Sequence, residues 1–551
     1  MRKLASALSV LILTGCAALP TEIDIKSGPE LIAQDAVELS YYTPTGPLQG
    51  ATAQEIVSGF LAAGTGPQND YAVARQYLTA EFAQRWNPES GVLIRSGAPV
   101  FKSAGNNLQV VELSVGATVD EQGRYEDVIV GTKTSLRFQL IEQDGEWRIG
   151  SAPNLTVVTP PVFAVVFNAF PVYFLDTNQS QLVPDLRWFP TRASTGTKLV
   201  NALLAGPSEW LVPGVSTAIP EGTKLTIDAV SVESGVALVD FDASALKADP
   251  IQRRLFLSQL RSTLLQLSGV SDVAVSVNGS AQDIVPSQLQ TKTPGGLVFF
   301  SDVDGVHRVN ATDGAALGGT AQFISANAIK DFAVYGAGES VAFVAESGVY
   351  VLETNGLGFK TQKVSDTTEI ASLFFDNEGF LWIIPSKKED SIQVNSVVGE
   401  TRELTDELSG ERIAAKISPE GVRLATLTGT EQSRNILVST VVRDGQGWPI
   451  RLTQGFEIRP VLGDAIAITW QQNSTLRALE RTTSGLTAVS DYPLSGPRIQ
   501  QPMPPVVGVE IATGPSALSS YLLTDTGQIW VLTGTAWRLV SQGATALSTG
   551  G

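Results

Sequence analysis

The rhythm of hydrophobic and polar positions changes three times along the chain. Apolar residues first recur at helical spacing: Ile56 and Phe60 share a face with the offset pair Val57 and Leu61, and Thr52 followed by Glu55 predicts a capping box. A second helix is expected to start at Asp70 as its cap, to carry Val73 and Tyr77, and to close through Phe82 and Trp86 before Asn87-Pro88. The period then falls to two, with Val111, Leu113 and Val115, then Leu136, Phe138 and Leu140, then Trp147 and Ile149 after the turn Asp144-Gly145. Helices followed by a meander predict an α+β domain over residues 51–160.

A second α+β unit is expected over residues 161–290. Its apolar opening, residues 162–175, is interrupted by Asn168 and Pro171, is too short to span a bilayer, and reads as buried strands. Residues 198–205 read as a helix stopped by Gly206-Pro207. The turn Pro220-Glu221-Gly222-Thr223 leads into Leu225, Ile227, Val230 and Val232, whose single phase shift predicts a bulge. Val236, Leu238 and Asp240 alternate with Ala237, Val239 and Phe241. Leu257, Leu260, Leu264 and Leu267 mark a helix over residues 251–267 ended by Gly269, and Val273, Val275 and Val277 mark a last strand.

From residue 295 to 551 short apolar runs flank tight polar turns. Leu297-Val298-Phe299-Phe300 precedes Asp302-Val303-Asp304-Gly305, Leu373-Phe374-Phe375 precedes Asp376-Asn377-Glu378-Gly379, and Tyr521-Leu522-Leu523 precedes Asp525-Thr526-Gly527. Repeated hairpins without an amphipathic helix, at about 40 residues per four-stranded blade, predict an all-β propeller of six or seven blades.

The first fifty residues set the expected compartment. Arg2 and Lys3 precede an apolar stretch, residues 4–13, of signal-peptide length, and Leu13-Thr14-Gly15-Cys16 has the pattern of a bacterial lipobox. Residues 1–15 therefore read as a signal peptide cleaved between Gly15 and Cys16, with Cys16 the lipidated residue. Two or three acyl chains there, at about 0.8 kcal/mol per buried methylene, would moor the protein to the outer face of the cell membrane. Residues 16–50, with Pro20, Pro29, Pro44 and Pro47, read as the lipidated cysteine and a flexible tether. Cys16 is the single cysteine, which leaves no partner within the chain for a disulfide. A net charge of −17 argues against nucleic-acid binding.

Catalytic and metal-binding patterns are thin, so neither enzyme activity nor a cofactor is expected. His307 is the single histidine and reads as a strand residue, which leaves a triad or a zinc site without ligands. Ser244-Ala245-Leu246-Lys247 matches Ser-x-x-Lys spacing without a companion Lys-Thr-Gly. Asp240 with Asp242, and Asp302 with Asp304, could each offer carboxylates to a calcium ion, but too few for a full shell. An envelope carrier is the alternative function, holding a small apolar ligand or glycan in a cavity lined by Trp86, Phe138 and Trp147.

Three resemblances go further. The helices and meander ending Gly145-Glu146-Trp147-Arg148-Ile149 resemble NTF2-like domains. Leu203-Leu204-Ala205-Gly206-Pro207, Ile219-Pro220-Glu221-Gly222-Thr223-Lys224-Leu225, Val239-Asp240-Phe241 and Val277-Asn278-Gly279 resemble the GerMN domain. Lipobox, NTF2-like segment, GerMN domain and propeller in this order resemble the actinobacterial LpqB lipoproteins. That resemblance implies a two-component signalling role: an accessory that modulates a membrane sensor histidine kinase, MtrB-like, by binding its extracytoplasmic domain.

Overall fold

A computed structural model describes residues 44–550 except residues 130, 290, 293–294, 312–313, 355–358, 397–398, 405, 407, 409, 431–432, 459–463 and 517–518. The first helix, Ala53–Ala63, starts where local chemistry dictates. Thr52 accepts from the Glu55 N–H and the Glu55 carboxylate accepts from the Thr52 N–H at 2.8 Å, while Ile56, Val57 and Phe60 turn inward.

The expected second helix is instead two short ones, Ala72–Arg75 and Ala80–Arg85. Asn69, Asp70 and Tyr71 all take left-handed backbone angles, so Asp70 caps nothing and pairs with Arg75 at 2.6 Å. The buried Tyr71 ring, packed edge-on against Trp86, accompanies this departure; Thr79 caps the following helix.

The strand Leu108–Asp120 is the spine of the first sheet. It pairs with Lys133–Gln143 on one side and Gly91–Arg95 on the other, with Glu146–Ser151 at one end and Thr156–Val158 at the other. Its inward Val111, Leu113 and Val115 meet the first helix, and Phe60 lies 5.0 Å from Trp86 and 6.0 Å from Phe138, ring centre to ring centre.

The middle region corrects one expectation and refines another. Residues 162–166 are not strand: Pro160–Val166 is a helix capped by Thr159, and the strand begins only at Phe167–Asp176, paired with Leu182–Pro190. A Thr-Pro-Pro start favours a helix N-terminus strongly enough to outweigh the β-branched residues behind it. The phase shift after residue 225 is larger than a bulge. Leu225 bridges Phe241 and Ser231 pairs Leu238, while Val230 dips into the core with its N–H on Thr197 Oγ1 at 2.9 Å. Val236–Phe241 and Asp272–Val277 run parallel, joined by the helix Pro250–Leu264, which closes this core with Thr195–Ala205.

The third region forms six sheets. The first strand of each later sheet, Ile329–Tyr335, Ile370–Phe375, Arg412–Ile417, Asp464–Gln472 and Gly508–Thr513, packs beside the next one round. The ring closes because Ala546–Thr549, near the C-terminus, pairs with Val298–Asp302 of the first sheet and lies between Gly508–Thr513 and Ile329–Tyr335. One short helix, Thr320–Ala326, departs from the all-strand expectation; its Phe323 stacks on Phe343 in a seam between sheets.

The three regions are tied by specific polar contacts. Ser495 Oγ accepts from the Tyr125 N–H at 3.0 Å and donates to the Tyr125 carbonyl at 2.9 Å, while the Trp188 indole donates to the Ser495 carbonyl. Lys198 reaches Glu89 at 2.8 Å, Thr440 Oγ1 donates to the Trp210 carbonyl at 2.7 Å, and the fully buried Arg423 binds Glu420, the Asn473 carbonyl and the Pro184 carbonyl.

Candidate functional site

A cavity of about 510 Å³ opens at the ends of the six inner strands, lined among others by Tyr335, Phe374, Trp470, Lys416 and Thr513. Below it the channel is charged. Five inner strands carry a bulge near their start, and the residues just after it are Asp331, Ser372, Ala414, Ala467 and Glu510. The two carboxyls therefore stand at the same level on the second and sixth sheets, with Lys416 of the fourth sheet near enough to act on both.

Desolvation raises the pKa of both. The negative charge of Asp331 raises Glu510 further, while the Phe332 N–H, the Leu547 N–H and Lys416 partly offset the burial. Carboxyls of the second and sixth sheets and a lysine of the fourth thus act on one another electrostatically across the ring.

A second cavity, about 690 Å³, lies where the three regions meet. Tyr125 and Asp127 enter from the first, Glu209 and Trp210 from the second, and Phe456 and Arg498 from the propeller. Trp210 and Phe456 rings are 4.7 Å apart. Burial raises the pKa of Asp127, against a weaker opposing effect of the hydrogen bond it accepts from Tyr125 OH at 3.1 Å.

Neither cavity gathers the residues singled out in the sequence. His307 is engaged within its own sheet, Nε2 on Asp302 at 3.0 Å, Nδ1 on the Gly314 carbonyl at 3.0 Å, and the ring stacked on Phe300. Asp302 also accepts from the Asp304 N–H, so this pair builds a hairpin turn. Asp240 accepts from Ser276 Oγ at 2.5 Å and the Gly279 N–H at 2.8 Å, which hold its pKa below the ordinary value. Asp242 caps Ala243–Lys247 and takes the Ser244 hydroxyl at 3.4 Å.

Trp86 and Phe138, expected to line a ligand cavity, fill the core of the first domain with Phe60, and Trp147 packs at its margin. Gly15 and Cys16 lie outside the described residues. Among the described residues no group of three His, Cys, Asp or Glu side chains could hold a metal, and no helix is long and apolar enough to cross a membrane.

Sequence reasoning missed Asp331, Glu510, Lys416 and the three-domain cleft. The available signal was a charged residue inside an otherwise apolar blade strand, as in Asp331-Phe332-Ala333-Val334.

Three family models match successive parts of the chain: the N-terminal domain of lipoprotein LpqB over residues 46–164, a sporulation and spore germination model over 171–283, and the LpqB beta-propeller domain over 304–547. Lipoprotein LpqB of Cutibacterium acnes is 32% identical over 51% of the chain, a match that spans only 47% of that relative. The proteins of the same name in Bifidobacterium longum and Streptomyces coelicolor are 25% and 24% identical, each over 97% of the chain and over 96% and 95% of their own lengths. With three matched domains in series and relatives aligned nearly end to end, the chain belongs to the LpqB lipoprotein family.

Proposed function

We propose that the protein is an extracytoplasmic lipoprotein, held at the outer face of the cell membrane by acyl chains on Cys16. In this reading it is an accessory that modulates a membrane sensor histidine kinase, MtrB-like, in envelope and cell-division signalling, and it catalyses no reaction itself. The observation that carries the reading is the fastening of three domains to one another through Ser495, Thr440 and Arg423. A block of this kind behind a tether of residues 16–50 presents a fixed surface at the membrane. Confinement there raises its effective concentration toward a membrane partner without any new contact.

Labelled palmitate fed to cells should enter the wild-type protein and not Cys16→Ala, and crosslinking in intact cells should recover the kinase with the wild type. Absence of label from the wild type defeats the anchor; recovery of no sensor kinase defeats the partner.

A further inference from the structure

The three-domain cleft has a charge balance that its fold does not need. Its two guanidiniums each have an acceptor inside the fold: Arg124 lies against Asp120, with Nη1 to Oδ2 at 3.4 Å, and Arg498 donates from Nε to Ser490 Oγ at 3.1 Å beside the buried carboxyl of Glu480, while Arg124 Nε and Arg498 Nη2 are buried without a partner among the described residues. Glu126, Asp127 and Glu209 have no basic partner among the described residues. They stand beside the half-buried rings of Tyr125, Trp210 and Phe456, so carboxylates and aromatic faces converge on one volume of about 690 Å³. Carboxylates attract a cation by charge, and an aromatic face attracts it through its quadrupole, most strongly where water is partly excluded. The volume suits a few side chains.

We propose that this cleft receives a lysine- or arginine-bearing segment of a partner protein, its cationic heads on Glu126, Asp127 and Glu209 and its apolar stems along Trp210 and Phe456. The proposal rests on the partner-binding reading above and names the chemistry of what is bound. The chain's own tether is a poor occupant, because residues 17–43 carry Glu22, Asp24, Glu30, Asp35 and Glu38 against a single Lys26. The excess negative charge of the whole chain steers a basic segment inward. Because the walls come from three domains, a bound segment also clamps their orientation.

The experiment is calorimetric titration of the purified full chain, in neutral detergent, with acetyl-hexalysine amide. Hexaglutamate and chitotriose serve as comparison ligands. The proposal expects saturable binding of hexalysine that weakens with salt, none of hexaglutamate, and a loss of about tenfold in E126Q/E209Q, an exposed pair whose neutralisation leaves the fold intact. E346Q/D525N, on distant hairpin turns, should bind as the parent does. Equal binding by E126Q/E209Q, or binding of chitotriose alone, overturns it. Such a failure leaves the proposed function standing if crosslinking still recovers the kinase, and absent acylation would leave this titration unaffected.

Discussion

The first domain and the propeller handle charge in opposite ways. In the first domain the ion pairs are on the surface: Arg85 with Glu81 is 64% and 82% exposed, Lys102 with Glu112 55% and 37%. Its interior is aliphatic and aromatic, organised by Phe60, Trp86 and Phe138. The propeller puts arginines inside. Arg412 with Asp406, Arg423 with Glu420, Arg443 with Asp376 and Arg477 with Asp491 are each at most 10% exposed.

These arginines also cross between sheets. Arg443 of the fourth sheet reaches Asp376 of the third at 2.8 Å, and Arg477 of the fifth binds Ser520 of the sixth at 2.6 Å. An α+β core is specified by shape, since helices and sheet interlock in one way. Sheets packed face to face in a ring resemble one another, and a buried guanidinium that needs a particular acceptor favours one neighbour. Retention of buried ions for specificity rather than for stability fits this need.

The strongest way to break the comparison is to remove one arginine. Arg477→Ala leaves the Asp491 carboxylate in a dry seam without its counter-ion, the Gln501 amide still donating to it at 2.7 Å, and should cost the propeller about 3 kcal/mol, whereas the double variant Arg477→Met, Asp491→Leu should recover most of it. Denaturant unfolding followed by the propeller's own transition checks this, and equal losses in the two variants would show that packing, not charge, is at stake.

A smaller effect should come from the channel. Burial raises the folded-state pKa of Asp331 and Glu510 above unfolded values near 4, so folding takes up protons there. That contribution is complete at acid pH and is lost as pH climbs through the raised folded values. Glu510→Gln should therefore raise the melting temperature at pH 8 by a few degrees and leave it nearly unchanged at pH 5. A shift that is the same at both values would remove the carboxyl pair from the explanation. Smallest of all, Arg85→Ala in the first domain should leave thermal unfolding within error, because an exposed pair at helical spacing gains little over water.

Much of this architecture is legible in residue order. The capping box Thr52 to Glu55, the alternation of Val111, Leu113 and Val115, the strand of Val236 to Phe241 with the helix after it, and the blade hairpins all appear where the pattern puts them. The misreadings have different causes, one tertiary and one local. Asp70 has a suitable side chain for a cap, yet the neighbouring Tyr71 is buried and the backbone turns left-handed instead. Residues 162–166 have strand composition, yet two prolines and a threonine ahead of them set a helix. The candidate sites were less legible than the fold, since Asp331 and Glu510 are 179 positions apart and the cleft joins residues near 125, 210, 456 and 498.

Interactions within a few positions of one another are written in the order of residues, because their geometry is the same in every helix turn or hairpin. On that basis the sequence alone determined three successive domains, their class and most of their elements. The closure of the ring through Ala546–Thr549, the charged channel and the acidic aromatic cleft were decided by the tertiary structure. They depend on which distant surfaces meet, and burial changes what a carboxylate or guanidinium does once water is gone.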